Sequence, residues 1–600
     1  DIDMSNSYFD VYNCPDDEVT EVWVDVEEGT EVNFSYGVGD LCSIEEDVWV
    51  SPSGDDDNNL GTLESEAFLT VKRALEMIAP EEDDPITINL TGGTIENPDI
   101  FAPSTTGEQF PIIMISNVNL IGQGEGETIL DAQQTEQVIL MESCQNNVFS
   151  NLTITGGLAA TVSGGGIYDN IKGGGMLIYS SNPTLTNVTI DNNIAECGGG
   201  IYLWYSNPIL THVTISQNTA TDLVNWWIGN GGGMNLNHSN PTLTHVTMSQ
   251  NEASRKGGGM YVDGFSDPTV INSLITGNYA PSGGGMRMGA ESGDTDAFDG
   301  KRRGNFINVT FSNNTASLAG GIRITAASPT FTNVIIIGNN NGGLYGWTND
   351  DEPQSNIIMN NVTIAGNISE QYANPPVGGI RLSENIVATM TNAIIWGNFN
   401  IDTPMQVTVG HEGSSAIVAY SDIEGGYEGE GNIDVDPLFT NPADGDYTPQ
   451  QEQCINSGNP DLWYANLDGI SSTMGATGGL YAAPNFVSYD FGDVGDFSIY
   501  NEFILNNYRE TEIVIEDVSF STSNFSSSNT IFPIVIYPFE SGAINIQASN
   551  SDMTVFEDNM IILSDDLPEG LNVPLSMTPQ EGSFLSGNIS GIIPSAIYQI

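Results

Sequence analysis

The amino-acid sequence predicts an all-β solenoid, a chain wound into many stacked coils of short strands. Three observations carry that prediction. The first is a repeated phrase: GGGIYLWYSNPILTHVTISQNTA at 198–220 returns as GGGMNLNHSNPTLTHVTMSQNEA at 231–253. The second is a lattice. Taking the Asn or His before the second apolar run as an anchor gives Asn187, His212, His245, Asn272, Asn308, Asn333, Asn361 and Asn392. Six residues beyond each stands another asparagine: Asn193, Asn218, Asn251, Asn278, Asn314, Asn339, Asn367 and Asn398. The anchors are 25 to 36 residues apart, so the register is kept inside each phrase and the slack lies between phrases. A fixed phrase with variable joins at this period is the signature of a solenoid whose insertions are loops. The third is that the apolar runs are short and alternating, with Gly, Asn and Pro at their corners, which excludes a helical repeat.

Residues 1–46 form an acidic β segment with 14 acids and no Lys or Arg, and EVWVDVEEGTEVNFSYGV within it reads as a hairpin. Cys14 and Cys42 flank it and are a candidate disulfide. The solenoid spans 47–480. It opens on an amphipathic helix over 66–79, where Phe68, Val71, Leu75 and Ile78 share one face and Pro80 stops the helix. Such a helix would cover the open apolar end of the first coil. Irregular strands follow from Ile86, and regular coils from Gly173, each with two strands. The glycines take the tight corner before the first strand. The asparagines after the second are expected to adopt left-handed backbone and to hydrogen-bond from coil to coil. Beyond Gly479 the phrase disappears and the strands lengthen. Residues 481–585 read as a β-sandwich and 586–600 as the start of a further segment or linker. Asp1 in place of an initiator Met fits a processed or excerpted chain.

The phrase GGGMxx…SNPTLTNVTISxNxA resembles the repeats of secreted right-handed parallel β-helix proteins. The repeats of chlamydial polymorphic outer-membrane proteins are in a related style. The entry VSPSGDDDNNLGT…FLTVKRALE and the exit YSDIEGGYEGEGNIDVDPLFTNPADGDYTPQ, with CINSGNP and DGISSTMGATGG, resemble those of the pectate-lyase-like superfamily. The segments FGDV, FILNNYRETEIVIEDVSF and FPIVIYPFESGAINIQA resemble Ig-like modules of bacterial surface proteins. These resemblances imply a right-handed parallel β-helix followed by an Ig-like β-sandwich. They say little of activity, because that superfamily mixes enzymes with adhesins.

Where the phrase varies is more informative than where it repeats. The middle residue of the first strand lies between two apolar neighbours and so points away from the core. Up the stack this position reads Leu177, Tyr202, Asn235, Tyr261, Arg287, Arg323, Tyr345 and Arg381. Between residues 255 and 381 there are eight basic against ten acidic residues, in a chain with 12 basic, 78 acidic and a net charge of −66. The insertions at 221–230 (with Trp226 and Trp227), 290–304 and 347–355 would wall a groove over this column. Aromatic and Arg side chains stack on sugars or bond to their hydroxyl and acid groups. Tyr202, Trp226, Trp227, Tyr261, Arg287, Arg323, Tyr345 and Arg381 are therefore the candidate glycan face. The plainer alternative is that the arginines neutralise nearby acids. Lyases of the resembled superfamily would need an acidic Ca²⁺ cluster beside a basic residue, and hydrolases paired carboxylates. The column carries neither.

The charge excludes nucleic acid as a partner, and no apolar run is long enough to span a membrane. Asp55 and Asp57 in one loop, and Asp444 and Asp446 in another, are candidate Ca²⁺ ligands, although each loop also reads as an Asx turn. The expected function is a non-enzymatic, secreted or cell-surface structural or adhesive protein, such as a filament or surface-layer component. Its partners would be an extracellular glycan or other copies of itself. The alternative is a polysaccharide lyase or glycoside hydrolase of the β-helix type.

Overall fold

The computed structural model describes residues 44–579 except 160–170, 222–228, 290–302, 349–352, 370–374, 411–412, 467–470, 496, 529, 551, 553 and 555. The N-terminal hairpin, Cys14, Cys42, Trp226, Trp227 and residues 586–600 lie outside the described residues.

The coil beginning at Gly198 shows how the phrase folds. Gly198 turns at φ 62° and Ile201–Trp204 runs as a strand. Tyr205 turns again at φ 50°, and Asn207-Pro208 leads into the strand Ile209–Ser216. His212 interrupts that strand at φ 53°. Buried positions accordingly slip by one, from Leu210 to Val213 and Ile215. A two-residue strand, Thr219–Ala220, closes the coil. Two strands were expected per coil. The anchor breaks the second into two, so the interior is enclosed by three strand faces and a short link.

Left-handed backbone was expected at the asparagine six residues past the anchor. The structure places it elsewhere: on the anchors themselves, from Asn187 to Asn392, and on the residue before each ladder asparagine, such as Asn192, Gln217, Gln250 and Asn313. The physical reason is a division of labour. The turn residue takes the unusual φ with its side chain outward, which leaves the next asparagine free to point inward.

Successive coils pair in parallel, residue for residue: Ile201 beside Met234, Tyr202 beside Asn235, Leu203 beside Leu236. The first strands form an 11-stranded sheet from Ile112–Ile113 to Val407–Val409, called here the glycine-side sheet. The bent strands form a 22-stranded sheet. Inward residues at one register stack as Ile178, Leu203, Leu236 and Val262, all buried in one continuous core. The triple glycine is needed because coils touch there through backbone. A Cβ at Gly199 would lie 2.5 Å from Gly232 O, and one at Gly200 would lie 2.6 Å from Gly233 O.

The expected helix over 66–79 is shorter, Val71–Met77, capped by Thr70 Oγ1 accepting from Arg73 N at 3.1 Å. Phe68 and Ile78 are buried as expected but lie outside the helix. Each forms a parallel bridge, to Val50 and Ile44 respectively, which holds the helix ends in extended backbone. Glu108, itself buried, accepts from Val71 N at 2.6 Å and Lys72 N at 3.2 Å at the start of this helix. Burial outweighs those bonds and pushes its carboxyl up to about 7.

By contacts the chain divides into two units, Asp1–Gly458 with Met474–Thr477, and Asn459–Thr473 with Gly478–Ile600. In chain order the second unit begins at Asn459 and the first returns for Met474–Thr477. Within the first unit, Met474–Thr477 lies across the last anchors: Gly475 N donates to Asn392 O at 2.6 Å and Asn333 Nδ2 to Ala476 O at 3.0 Å. The second unit has two four-stranded sheets and one two-stranded sheet around a core that includes Phe503, Ile515, Ile544, Met560 and Val573. Among the described residues its pairing is antiparallel apart from Tyr489–Val494 against Asn572–Pro579.

Candidate functional site

The asparagine ladder is a single hydrogen-bonded chain. Asn193 Nδ2 donates to Asn218 Oδ1 at 3.0 Å, Asn218 to Asn251 at 3.1 Å, and Asn251 to Asn278 at 3.0 Å. The chain continues through Asn314, Asn339, Asn367 and Asn398. It ends on Gln406 Oε1, which accepts from Asn398 Nδ2 at 2.8 Å. Every member is buried, so the ladder is scaffold and offers nothing to a ligand.

The column Leu177, Tyr202, Asn235, Tyr261, Arg287, Arg323, Tyr345, Arg381 occupies one register of the glycine-side sheet, with Thr408 next in line. It was expected to form the floor of an open groove. Instead Tyr202, Tyr261, Arg287 and Tyr345 are 3–6% exposed, and only Arg323 and Arg381 are half-buried. Part of the cover is the residue before each triple glycine. Lys172 Nζ lies 5.2 Å from the Tyr202 ring and 4.7 Å from that of Trp204, and Lys256 Nζ lies 5.5 Å from Tyr261. Asn235 Nδ2 donates to Asn230 O at 3.2 Å, and Arg323 Nη1 donates to Ser282 Oγ at 2.9 Å. The column thus points away from the main core but into a thin outer layer.

That layer is chemically quiet around Tyr202. Burial raises the Tyr202 hydroxyl above its ordinary value, and pushes the neighbouring Cys197 thiol up to about 11. Neither group ionises near neutrality. The predicted calcium ligands are engaged in turns. Asp55 Oδ1 accepts from Asp57 N at 2.9 Å and its Oδ2 from Asn58 Nδ2 at 2.8 Å. Asp444 accepts from Asn441 Nδ2 at 2.6 Å and Asp446 from Thr448 N at 3.0 Å. The carboxyls of Asp55 and Asp446 are held below their ordinary range by these donors. Among the described residues, no group of three or more His, Cys, Asp or Glu side chains is arranged to hold a metal ion.

A stripe of aromatic side chains that the sequence reading passed over lies two to four residues further along. Tyr179, Trp204, Asn237 and Asp263 share one register at the end of the first strand. Trp204 meets Tyr179 edge-on at 5.5 Å and stacks on Tyr205 at 6.3 Å. Tyr205 stacks in turn on His238 at 4.6 Å, and His238 meets Phe265 edge-on at 5.4 Å. Tyr205 is 53% exposed, and Tyr179, Trp204, His238 and Phe265 are half-buried. A serine ladder fixes the backbone below them. Ser181 N donates to Ser206 Oγ at 3.1 Å, Ser206 N to Ser239 Oγ at 3.0 Å, and Ser239 N to Ser266 Oγ at 3.0 Å. Beside the stripe, Asp263 Oδ1 is buried and has no hydrogen-bond donor among the described residues. The signal was available in the words WYSNP, NHSNP and GFSDP, where an aromatic or His precedes a fixed Ser-Asn/Asp-Pro corner.

The anchor histidines stack. His212 and His245 are parallel at 4.7 Å, and Asn272 Nδ2 lies 3.4 Å from His245 Nε2. His238 belongs to the aromatic stripe, and His411 lies outside the described residues. Asp263 ends the strand Met260–Asp263, and Glu384, just past the strand Ile380–Ser383, accepts through Oε2 from Trp347 Nε1 at 2.8 Å.

Residues 105–275 match the family described as the right handed beta helix region. No curated protein matches the chain. Among solved structures, pectate lyase Pel9A is similar over 72% of this chain and 96% of its own, at 13% identity and TM-score 0.38. The Azotobacter vinelandii mannuronan C-5 epimerase AlgE4 A-module is similar over 58% and 89%, at 13% identity and TM-score 0.30. PfbA, a surface adhesin of Streptococcus pneumoniae, is similar over 54% and 92%, at 10% identity and TM-score 0.25. Likeness at these identities and TM-scores carries no activity to this chain. The long parallel sheets make the described residues predominantly β and are consistent with a right-handed parallel β-helix, the family that residues 105–275 match.

Proposed function

We propose that this protein is a non-enzymatic, extracellular scaffold that binds a glycan along the aromatic stripe of its β-helix. The observation that carries the reading is the run Tyr179, Trp204, Tyr205, His238, Phe265 on consecutive coils, with Tyr205 open to solvent. Aromatic rings bury large area at small entropic cost, and the solvent-facing side of this stacked run, where Tyr205 is 53% exposed, is an apolar surface suited to sugar rings. Coils repeat at the spacing of parallel strands, about 4.8 Å, which presents ring after ring at roughly the length of one sugar. Asp263 Oδ1, buried and lacking a donor among the described residues, is an acceptor suited to a sugar hydroxyl. The column beside the stripe carries no carboxylate, and this favours binding over bond cleavage. In this reading the helix Val71–Met77 closes the first coil, and the second unit serves as an Ig-like module.

The test is a calorimetric titration with neutral oligosaccharides. Trp204→Asn with Tyr205→Asn removes both rings while supplying residues that neighbouring coils or left-handed backbone accept, as Asn237 does at the Trp204 register. Binding by the wild type, weakened about tenfold or more in the double variant, is the expected result; loss of two stacked rings should exceed the 1.4 kcal/mol that tenfold represents. Equal affinities would remove the stripe from the account.

A further inference from the structure

Three of the eight arginines in this strongly acidic chain fall in one register, Arg287, Arg323 and Arg381, with Tyr345 between the last two. They differ in what they do. Arg287 is buried at 3% exposure and donates through Nη1 to Met288 O at 2.9 Å. Arg323 donates to Ser282 Oγ, and its guanidinium lies 5.7 Å from the centre of the Tyr345 ring. Arg381, on the far side of Tyr345, is the exception. An unmatched buried Nε is common to all three arginines, but among the described residues Arg381 alone of them has no acceptor for its Nη nitrogens, and it forms no ion pair there.

The surroundings of Arg381 are suited to an anion that the described residues do not supply. The carboxylate of Glu384, three residues on, is engaged by Trp347 Nε1. The next coil has Thr408 at the same register, and an ideal Cβ on Gly410 would come within 3.4 Å of Arg381 Nη2. Glycine there places no side chain beside that nitrogen. A planar fork with its donors unspent is the group that recognises a carboxylate or sulfate in two-pronged fashion. A half-buried guanidinium without such a partner also has an unmet desolvation cost, which a bound oxyanion would offset.

We infer that Arg381, with Arg323 across Tyr345, forms a subsite for the oxyanion of an acidic substituent on the bound glycan, a carboxylate or a sulfate. The inference rests on the glycan reading above and deepens it. The ligand is a largely neutral glycan with an occasional acidic group, because the net charge of −66 repels a polyanion while the stretch from 255 to 381 is near neutral.

Three oligosaccharides of one length test this by calorimetry at fixed ionic strength: a neutral one, one with a single uronate and one with a single sulfate. The wild type should bind at least one acidic form about tenfold or more tightly than the neutral one, consistent with a charge-assisted pair. Arg381→Thr, which installs the residue found at that register in the next coil, should abolish this preference. Arg381→Lys should keep only part of it. Which acidic arm is preferred identifies carboxylate or sulfate. Binding of the neutral sugar with no gain from either acid, or a preference that survives Arg381→Thr, overturns the inference alone. Failure to bind any of the three overturns the glycan reading beneath it.

Discussion

Asn251 uses every polar atom of its side chain. Its Oδ1 accepts from Asn218 N at 3.0 Å and Nδ2 at 3.1 Å, and its Nδ2 donates to Ile215 O at 2.9 Å and Asn278 Oδ1 at 3.0 Å. Leaving a buried polar group unpaired costs about 1–3 kcal/mol, and removal of Asn251 strands groups on two coils. Asn251→Ala should therefore destabilise the helix by about 2–4 kcal/mol, read as a lowered denaturant midpoint. Asn251→Asp should cost more, because a carboxylate cannot donate to Ile215 O and would face Asn278 Oδ1. Equal stability of the alanine variant and the wild type would show that the ladder is dispensable. The ladder was legible in the sequence because spacing and identity were both fixed: eight anchors, each with an asparagine six residues on. The left-handed turn residue before it was not, since Asn, Gln and Gly all serve there. What they share is an outward side chain under little constraint, so no single letter marks the position.

Among the elements, the glycine-side sheet was predicted to the residue in its register and not in its cover. Alternation fixes which side of a strand a residue takes, and the whole predicted column does share one register. What lies over that side depends on the residue before the glycines, which changes from coil to coil: Lys172, Cys197, Asn230, Lys256, Ser282, Leu318. Among the described residues that cover is thinner near Tyr205, which is exposed, and near Arg323 and Arg381, which are half-buried. The helix Val71–Met77 gives a second prediction. Glu108 holds its first turn, with a carboxyl raised from 4.5 to about 7 by burial. Between those values the folded state binds a proton that the unfolded state releases, so the stabilisation is present at low pH and fades as pH rises through 7. The opening free energy of this helix, measured by hydrogen exchange, should be greater at pH 5 than at pH 8. Glu108→Gln, unable to titrate, should make the two values equal. A wild-type helix more stable at pH 8 would mean that the bonds from Val71 N and Lys72 N outweigh burial, contrary to the account.

At the scale of the molecule, the repeat dictates a scaffold and leaves function to its departures from regularity. Net charge and the absence of a long apolar run bounded the partners from the sequence alone. The site was only partly legible. The Arg and Tyr column drew attention through its composition, while Tyr205, His238 and Phe265 sit at corners, where one-dimensional alternation says nothing about exposure. Stacking between them arises only when coils wind in register and bring residues some 27 to 33 positions apart within ring contact, as Tyr205 and His238 are at 4.6 Å. The central claim is that this contact-built stripe receives a sugar. The most direct measurement is a crystal structure of the protein with a bound neutral oligosaccharide. The account predicts sugar rings against Trp204 and Tyr205, with a hydroxyl donating to Asp263 Oδ1. An oligosaccharide bound elsewhere on the β-helix, with the stripe bare, would contradict it.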